Sequence, residues 1–494
     1  MISHHLPILQ VIVPLLAAPL SVFLRRAALA WYLTFLVSIA TFLVSIALLE
    51  RVMTGGVISY ALGDWAAPYG IEYRVDAVNA FVLLIISGIS TVVLPYARTS
   101  VASEIDAGSQ SLFYTCYLLC LTGLLGMVVT GDAFNAFVFL EISSLSTYVL
   151  VAMGAKRDRR ALTAAYSYLV MGTIGATFFV IGVGLLYMMT GTLNMADLAS
   201  RIQPIESNRT VLVAFAFIVT GLGLKLALFP LHLWLPNAYA FAPSAVTVFL
   251  AATATKAAVY LLIRFLFTIF GTGYDILGLT LAYLLMPLAI LAMFAASTVA
   301  IFQVDIKRML AYSSIAQIGY MILGFSFATV TGLAASLIHL FNHALMKGAL
   351  FMVLGAVALR KGTASIDSMR GLGRQMPWTM AAFVAGGLSL IGVPLTVGFV
   401  SKWYLVAASL ESGMWPVAVL IVASSLLAVV YVWRVVEAAY LSDAPDGRRV
   451  EEAPPSLLVP TYLLVAANVY FGIDAGLTTR VATRAAGILM GAGE

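Results

Sequence analysis

Fourteen mostly apolar stretches, each long enough to cross a bilayer, follow one another along this chain with short polar connections between them. A helix rises 1.5 Å per residue and needs about 20 apolar residues to span the hydrocarbon core. The stretches begin near residues 7, 28, 76, 111, 132, 162, 211, 243, 275, 310, 332, 378, 414 and 456. They are too long for β-barrel strands and do not alternate. In lipid each backbone polar group must be paired within its own segment, so such runs fold as helices. The expected fold is an all-α polytopic membrane protein with about 14 transmembrane helices. Composition agrees, because 62% of the 494 residues are hydrophobic and only 10% charged, beyond what a soluble globular chain of this length buries.

The formal net charge of +5 does not point to nucleic acid, since the basic residues sit in short loops between spans. Fifteen cations, from Arg25 and Arg26 through Lys156 and Arg157 to Arg448 and Arg449, fall on one side. Six fall on the other: Arg51, Arg74, Arg201, Arg209, Arg480 and Arg484. Cytoplasmic loops carry the excess of Lys and Arg, so both termini are expected on the non-cytoplasmic side of the cell inner membrane. No small-residue cleavage site follows the first apolar run, so the first span is expected to stay. Cys116 and Cys120 are four apart on one helix face, match no disulfide or metal framework, and are expected to pack in the core. No phosphate loop, dinucleotide fingerprint or nucleophile triad is present, and no cofactor or metal is expected. The reading is a transporter subunit rather than a hydrolytic or redox enzyme.

Two spans carry helix breakers at their centres. The seventh reads GLGLKLALFPLHLWLPNAYAFAPSAV, with Pro230 and Pro236, and the twelfth reads GGLSLIGVPLTVGFVSKWYL, with Gly392, Pro394 and Gly398. Proline removes a helix hydrogen bond and clashes with the preceding turn. In lipid such breaks survive only where they are buried or line water. The breaks are five spans apart, an odd offset, which makes corresponding helices of two five-span units run in opposite directions. Two inverted repeats follow: helices 4–8 over residues 111–270 and helices 9–13 over 271–441. Helices 1–3 would occupy 1–110, and helix 14 with a tail 442–494.

Four of the seven lysines lie inside apolar segments: Lys225, Lys256, Lys347 and Lys402. A charged side chain at the bilayer centre costs about 2.5–3.5 kcal/mol on insertion scales, and such residues mark polar routes. Lys225 and Lys402 mark the broken helices, and Lys256 and Lys347 are expected on unbroken helices between them. Glu141 lies nine residues past Asp132, about 13 Å along the axis and close to the midplane. Lys225 is at similar depth and is its natural partner. A static pair that only fixes packing is the bland alternative, but a buried pair is weak evidence for stability. Lys256 sits among small neighbours in FLAATATKAAVYLL, which leaves room for water, and is too deep to snorkel. In LIHLFNHALMKGALF, His339, His343 and Lys347 are spaced by four and share one helix face, about 6 Å per step. That is the spacing of a water-linked proton relay. The same HxxxH could bind a metal, but no acidic or Cys ligand is nearby and a lysine adjoins it. His232, beside the first break, fits the relay or a helix cap equally. Glu437 could pair locally with Arg434. Asp76 and Asp132 open spans and read as helix-start residues.

At these motifs the chain resembles the proton-translocating antiporter-like family, which includes the large membrane subunits of respiratory complex I and the A and D subunits of Mrp-type Na⁺/H⁺ antiporters. The resemblance covers spans 3 to 13. It is carried by the Glu141 helix, KLALFPLHLWLPNAYAFAPSAV into Lys256, VDIKRMLAYSSIAQIGYMILG, HLFNHALMKGALF and GVPLTVGFVSKWYL. It implies fourteen helices with two inverted five-helix repeats and broken helices 7 and 12. It also implies Glu141 and Lys225 as the key ion pair, Lys256 as central relay, His339, His343 and Lys347 as the link, and Lys402 as the distal proton site. In that family the M-type complex I subunit usually carries glutamate at the last position, and the L-type and A-type subunits carry long C-terminal extensions. The N-type of complex I shares the lysine. The length and the Lys256 and Lys402 pairing fit the D-type Mrp subunit best.

The expected function is therefore the proton-conducting subunit of a multisubunit Mrp-type monovalent cation (Na⁺)/proton antiporter. Its partners would be other membrane subunits, protons, monovalent cations and lipid, with no nucleic acid. The alternative is the same module in a complex I-type NADH:quinone oxidoreductase or a membrane-bound hydrogenase complex. A mainly structural subunit and a stand-alone transporter of an organic solute are further rivals.

Overall fold

The computed structural model describes residues 2–24, 26–444 and 449–491; Arg25 and Arg448, counted above among the loop cations, lie outside these. The first six spans are Leu6–Phe23, Ala27–Gly55, Ala77–Glu104, Gln110–Val129, Ala133–Ala152 and Arg160–Thr190. Span 7 is split into Arg209–Leu226 and Trp234–Phe241. Spans 8 to 11 are Ser244–Phe270, Asp275–Ile301, Ile306–Ser326 and Val330–Lys361. Span 12 is split into Pro377–Ile391 and Val397–Glu411, and spans 13 and 14 are Trp415–Leu441 and Pro455–Ile473. Among the described residues, thirteen helices are long and apolar enough to cross a membrane. The two pieces of span 12 make the fourteenth crossing, so the expected count holds, as do the breaks in spans 7 and 12.

The spans divide by burial. In spans 8, 10 and 11, 94% of the most apolar window is buried inside the protein, against 33–39% in spans 1, 2, 6, 13 and 14. The outer helices present apolar faces to lipid, and the inner three hold Lys256, His339, His343 and Lys347 away from it. Small residues allow the close approach. A Cβ on Gly221 would collide with the Phe179 backbone, where spans 6 and 7 touch.

Both breaks use left-handed backbone, but not where each expected breaker sits. In span 7 the turn is made by Ala227 (φ +62°), and the irregular segment contains Pro230. Pro236 instead lies in the first turn of the half-helix Trp234–Phe241, where no intrahelical donor is required of it. In span 12 Gly392 (φ +93°) ends the first half and Leu395 (φ +70°) follows in the connection. Gly398 belongs to the second half, where any side chain would strike the Ser389 carbonyl.

Span 8 departs from the expectation of an unbroken helix around Lys256. It bends at Thr253 (φ −127°, ψ −53°), between Ser244–Ala252 and Ala254–Ile263. It then widens to a π-helical turn over Arg264–Phe270. No proline or glycine marks the bend. The Thr253 hydroxyl donates to the Phe249 carbonyl at 2.6 Å, a back-bond that bends helices. The Lys256 ammonium takes up the Ala251 carbonyl.

A short antiparallel hairpin, β1 (Ile58–Ala61) and β2 (Glu72–Val75), joins spans 2 and 3. The His5 ring meets the Tyr60 hydroxyl on this hairpin at 2.9 Å. Beyond span 14, where the sequence suggests only a tail, the chain forms a further helix, Gly476–Leu489. Arg484 on it donates to the Met53 carbonyl at 2.5 Å. Both terminal segments therefore lie on one face. Asp76 and Asp132 cap spans 3 and 5, accepting the Asn79 and Asn135 amides at 3.2 and 2.7 Å. Cys120 is fully buried against Thr147.

Candidate functional site

Lys225 lies in the last turn of the first half of span 7, where the helix carbonyl end favours a cation. Its Nζ donates to Glu141 Oε1 at 3.1 Å and to Ser144 Oγ at 2.8 Å. Glu141 is the more exposed partner, with 22% of its side chain accessible against 6% for Lys225. Ser144 comes from the SSLST run that follows Glu141 and puts hydroxyls on adjacent turns of span 5. Stacking of Trp234 on Tyr168, with ring centroids 4.1 Å apart, packs the second half of span 7 against span 6. Trp234 Nε1 also donates to the Leu224 carbonyl at 3.0 Å, next to the break.

A cavity of ≈ 30 Å³ lies between Lys225 and span 8. Its polar lining is Ser143, Ser144, Thr147, Tyr168, Tyr239 and Thr255. That is room for a water, and water needs two or more polar partners, which the hydroxyls supply. Thr255 precedes Lys256, and its side chain is buried at the wall of this cavity beside Tyr239. The cavity thus bridges the Glu141–Lys225 pair to the segment that carries Lys256.

Lys256 is fully buried. Span 11 packs against the first part of span 8 and carries His343, whose two ring nitrogens are both buried and without protein partners among the described residues. Lys347 lies one turn beyond His343 on span 11, and Lys402 follows Ser401 on the second half of span 12. The His339 and His343 rings are near-parallel, 6.1 Å apart. His339 Nδ1 meets the Ser401 hydroxyl at 2.8 Å, next to Lys402. His339, His343 and Lys347 follow one another along span 11, all three buried. Lys347 does not point onward to Lys402 but into span 10, donating to the Leu310 carbonyl at 2.8 Å and to Ser313.

Lys402 donates to the Leu390 and Ile391 carbonyls at 3.1 and 2.7 Å, and its Nζ lies 5.1 Å from the Tyr320 ring centre. Lys225 precedes its break and Lys402 follows its break, yet both ammoniums sit at the carbonyl end of a first half-helix. His232 caps neither half-helix; its ring stacks on Phe229 with centroids 5.2 Å apart. Among the described residues, Arg434 and Glu437 make no ion pair with each other. Arg434 donates to the Ile301 and Gln303 carbonyls, and Glu437 is exposed. Ser144, Ser401, Ser313 and Tyr320 escape a reading of the sequence, because isolated hydroxyls in apolar helices carry no spacing signal.

Residues 130–428 match the family model described as "NADH:quinone oxidoreductase/Mrp antiporter, TM". The chain belongs to this family. The matched segment contains Glu141, Lys225, Lys256, His339, His343, Lys347 and Lys402. Among relatives, the chain is 42% identical to the N subunit of the NADH-quinone oxidoreductase of Desulforudis audaxviator, over 95% of this chain and 96% of that one. It is 31% identical to the D subunit of the Na⁺/H⁺ antiporter of Alkalihalophilus pseudofirmus, over 96% and 94%. A chain in the structure of the Mrp complex from Dietzia sp. superimposes with a TM-score of 0.89 at 25% identity, covering 99% of this chain and 98% of that one. The fourteen-span fold with its two breaks is the fold of this antiporter-like family.

Proposed function

We propose that this chain is the proton-conducting subunit of a multisubunit Mrp-type monovalent cation (Na⁺)/proton antiporter in the cytoplasmic membrane. The observation that carries the reading is the Lys225–Glu141 pair, 3.1 Å apart beside a break in span 7. It opens an ordered series through Lys256, His343 and His339 to Lys402, with Lys347 as a side branch that sets the local charge. Ser144 and Ser401 hold the two ends of the series, and the hydroxyl-lined cavity connects its first two members. A change of charge at Glu141 is felt by Lys225 at contact distance, where low dielectric makes the interaction strong. Similarity to antiporter D subunits over nearly the full length and the match to the Mrp complex support this reading.

The remaining assignments belong to the same proposal. The cation-rich loops face the cytoplasm and both termini face outward. Residues 111–270 and 271–441 are the inverted units. Other membrane subunits, Na⁺ or another monovalent cation, and lipid are the partners. The test is Lys225→Ala and Glu141→Ala in the assembled complex, assayed for cation-dependent proton exchange in everted vesicles. Both should abolish exchange with the complex intact, and unimpaired exchange in either would refute the reading.

One specific observation favours a second reading, a complex I-type or hydrogenase-type pump module: the 42% identity to an N subunit of an NADH-quinone oxidoreductase. The same residues would then move protons under redox drive supplied by other chains. The proteins that co-purify with the native chain decide between the two.

A further inference from the structure

Six of the seven relay residues, all but Glu141, are buried, so the series needs outlets. A cavity of ≈ 1240 Å³ opens on the face that carries both terminal segments. One water occupies about 30 Å³ of the liquid, so this space holds many. Asp76 and Arg264 line it, 4% and 7% exposed. Arg264 makes a two-pronged pair with Asp76, at 2.7 and 2.9 Å. A further donor from the same guanidinium reaches Thr268 at 3.2 Å. Its Nε donates to the Tyr260 hydroxyl at 3.3 Å, and that hydroxyl donates to the Val128 carbonyl at 2.9 Å.

Lys256, Tyr260, Arg264 and Thr268 recur every four residues along span 8. Residues four apart share a helix face, about 6 Å per step. Arg264 and Tyr260, both at the wall of the large cavity, therefore occupy the column between it and buried Lys256. The two partners of the ion pair are held differently. Asp76 is fixed by capping span 3, where its Oδ1 accepts the Val78 and Asn79 amides. Arg264 opens the π-helical turn, a feature frequent at functional sites. A fully buried ion pair gives little net stability over an apolar contact, so packing alone does not account for it.

We propose that this cavity is an aqueous vestibule, and that Asp76, Arg264 and Tyr260 form a gate between it and Lys256, giving the relay a second outlet for protons apart from Lys402. The guanidinium stays charged, so it carries no proton itself. Paired with Asp76 it closes the column; swung toward the vestibule it leaves the Tyr260 hydroxyl and waters as the connection. This rests on the proton-conducting reading above.

The test uses the assembled complex with Cys116→Ser, Cys120→Ser and Thr268→Cys. An impermeant cationic thiol reagent, the trimethylammonium ethyl methanethiosulfonate, is applied to spheroplasts, and everted vesicles are then prepared. We expect labelling from the outer face. The labelled complex should exchange protons about tenfold or more slowly than the same complex unlabelled, since a fixed cation repels protons in the column. Absence of labelling, labelling only from the inner face, or labelling without a change in rate would each overturn the proposal. Tyr260→Phe in the otherwise native complex gives a second arm: exchange should fall about fivefold, as expected for losing one hydrogen-bonded group, and an unchanged rate counts against the gate. Lys225→Ala is run in parallel. If it leaves exchange intact, the conduction reading fails, while the labelling result still reports whether the vestibule is open.

Discussion

Lys402 lies beyond the break of span 12, yet its ammonium donates to the Ile391 carbonyl, at 2.7 Å, on the other side of that break. The stem crosses the gap beside Gly392, where an added Cβ would meet Lys402 Cδ at 2.9 Å. Gly392 also holds φ +93°, a conformation that L side chains rarely adopt. Gly392→Ala therefore introduces two penalties at one residue, backbone strain and displacement of the lysine. The strain alone costs about 1–3 kcal/mol. The expected outcome is a lower thermal unfolding temperature of the purified complex together with slower proton exchange. Lys402→Ala in a complex that keeps its thermal stability should slow exchange by itself, which separates the two effects.

Ser144 supplies one of the two polar partners of Lys225, at 2.8 Å. Ser144→Ala keeps the ion pair and removes this hydrogen bond. A hydrogen bond to a charged group contributes about 1.5–3 kcal/mol, so a rate effect of about tenfold or more is expected when the ammonium loses it. Assembly should be unaffected, because the serine's other bond to the backbone is a back-bond to Leu140 within its own helix. Exchange rates in everted vesicles check this, and a native rate would show that Ser144 plays no part in holding Lys225.

His339 and His343 differ in what holds them. His339 is tethered through Nδ1 to Ser401, while both nitrogens of His343 lack protein partners among the described residues. Ser401→Ala should therefore reproduce a part of the His339→Ala defect and add little to it in the double variant, since the two act as a unit. Ser401→Ala combined with His343→Ala should show a larger combined loss. Proton exchange across this set of variants gives the coupling directly. Additive losses for Ser401 and His339 would mean that the serine does not position the ring.

The architecture was legible because lipid leaves a chain few choices. Hydropathy set the fourteen spans, and Pro230 and Gly392 marked the two breaks that any bilayer would penalise. The relay candidates stood out for the same reason, since Lys256 or Lys347 in an apolar run has no cheap explanation. What escaped reading was whatever left no exceptional residue behind. The Thr253 bend is built from a common residue and depends on a lysine three positions later. The direction of Lys347 is decided by a carbonyl on span 10. The Asp76–Arg264 pair joins residues 188 apart, and Asp76 already had an adequate local account as a helix cap.

That pair separates stability from conduction. Asp76→Asn leaves the Arg264 guanidinium buried, 7% exposed, without its counter-charge. Breaking a buried pair by removing one partner costs about 3–5 kcal/mol, whereas replacing both by apolar or neutral groups of similar volume is often neutral. Asp76→Asn alone should therefore lower the temperature at which the complex dissociates. Asn at 76 also keeps the cap of span 3, because its side-chain oxygen accepts amides as Asp does. Asp76→Asn with Arg264→Met should recover most of the lost stability. Proton exchange should not recover with it, since the double variant has no charged gate between vestibule and Lys256. Dissociation temperature followed by size-exclusion chromatography, together with exchange rates from the same preparations, gives both quantities. Recovery of native exchange alongside stability would mean that the pair only fastens span 3 to span 8.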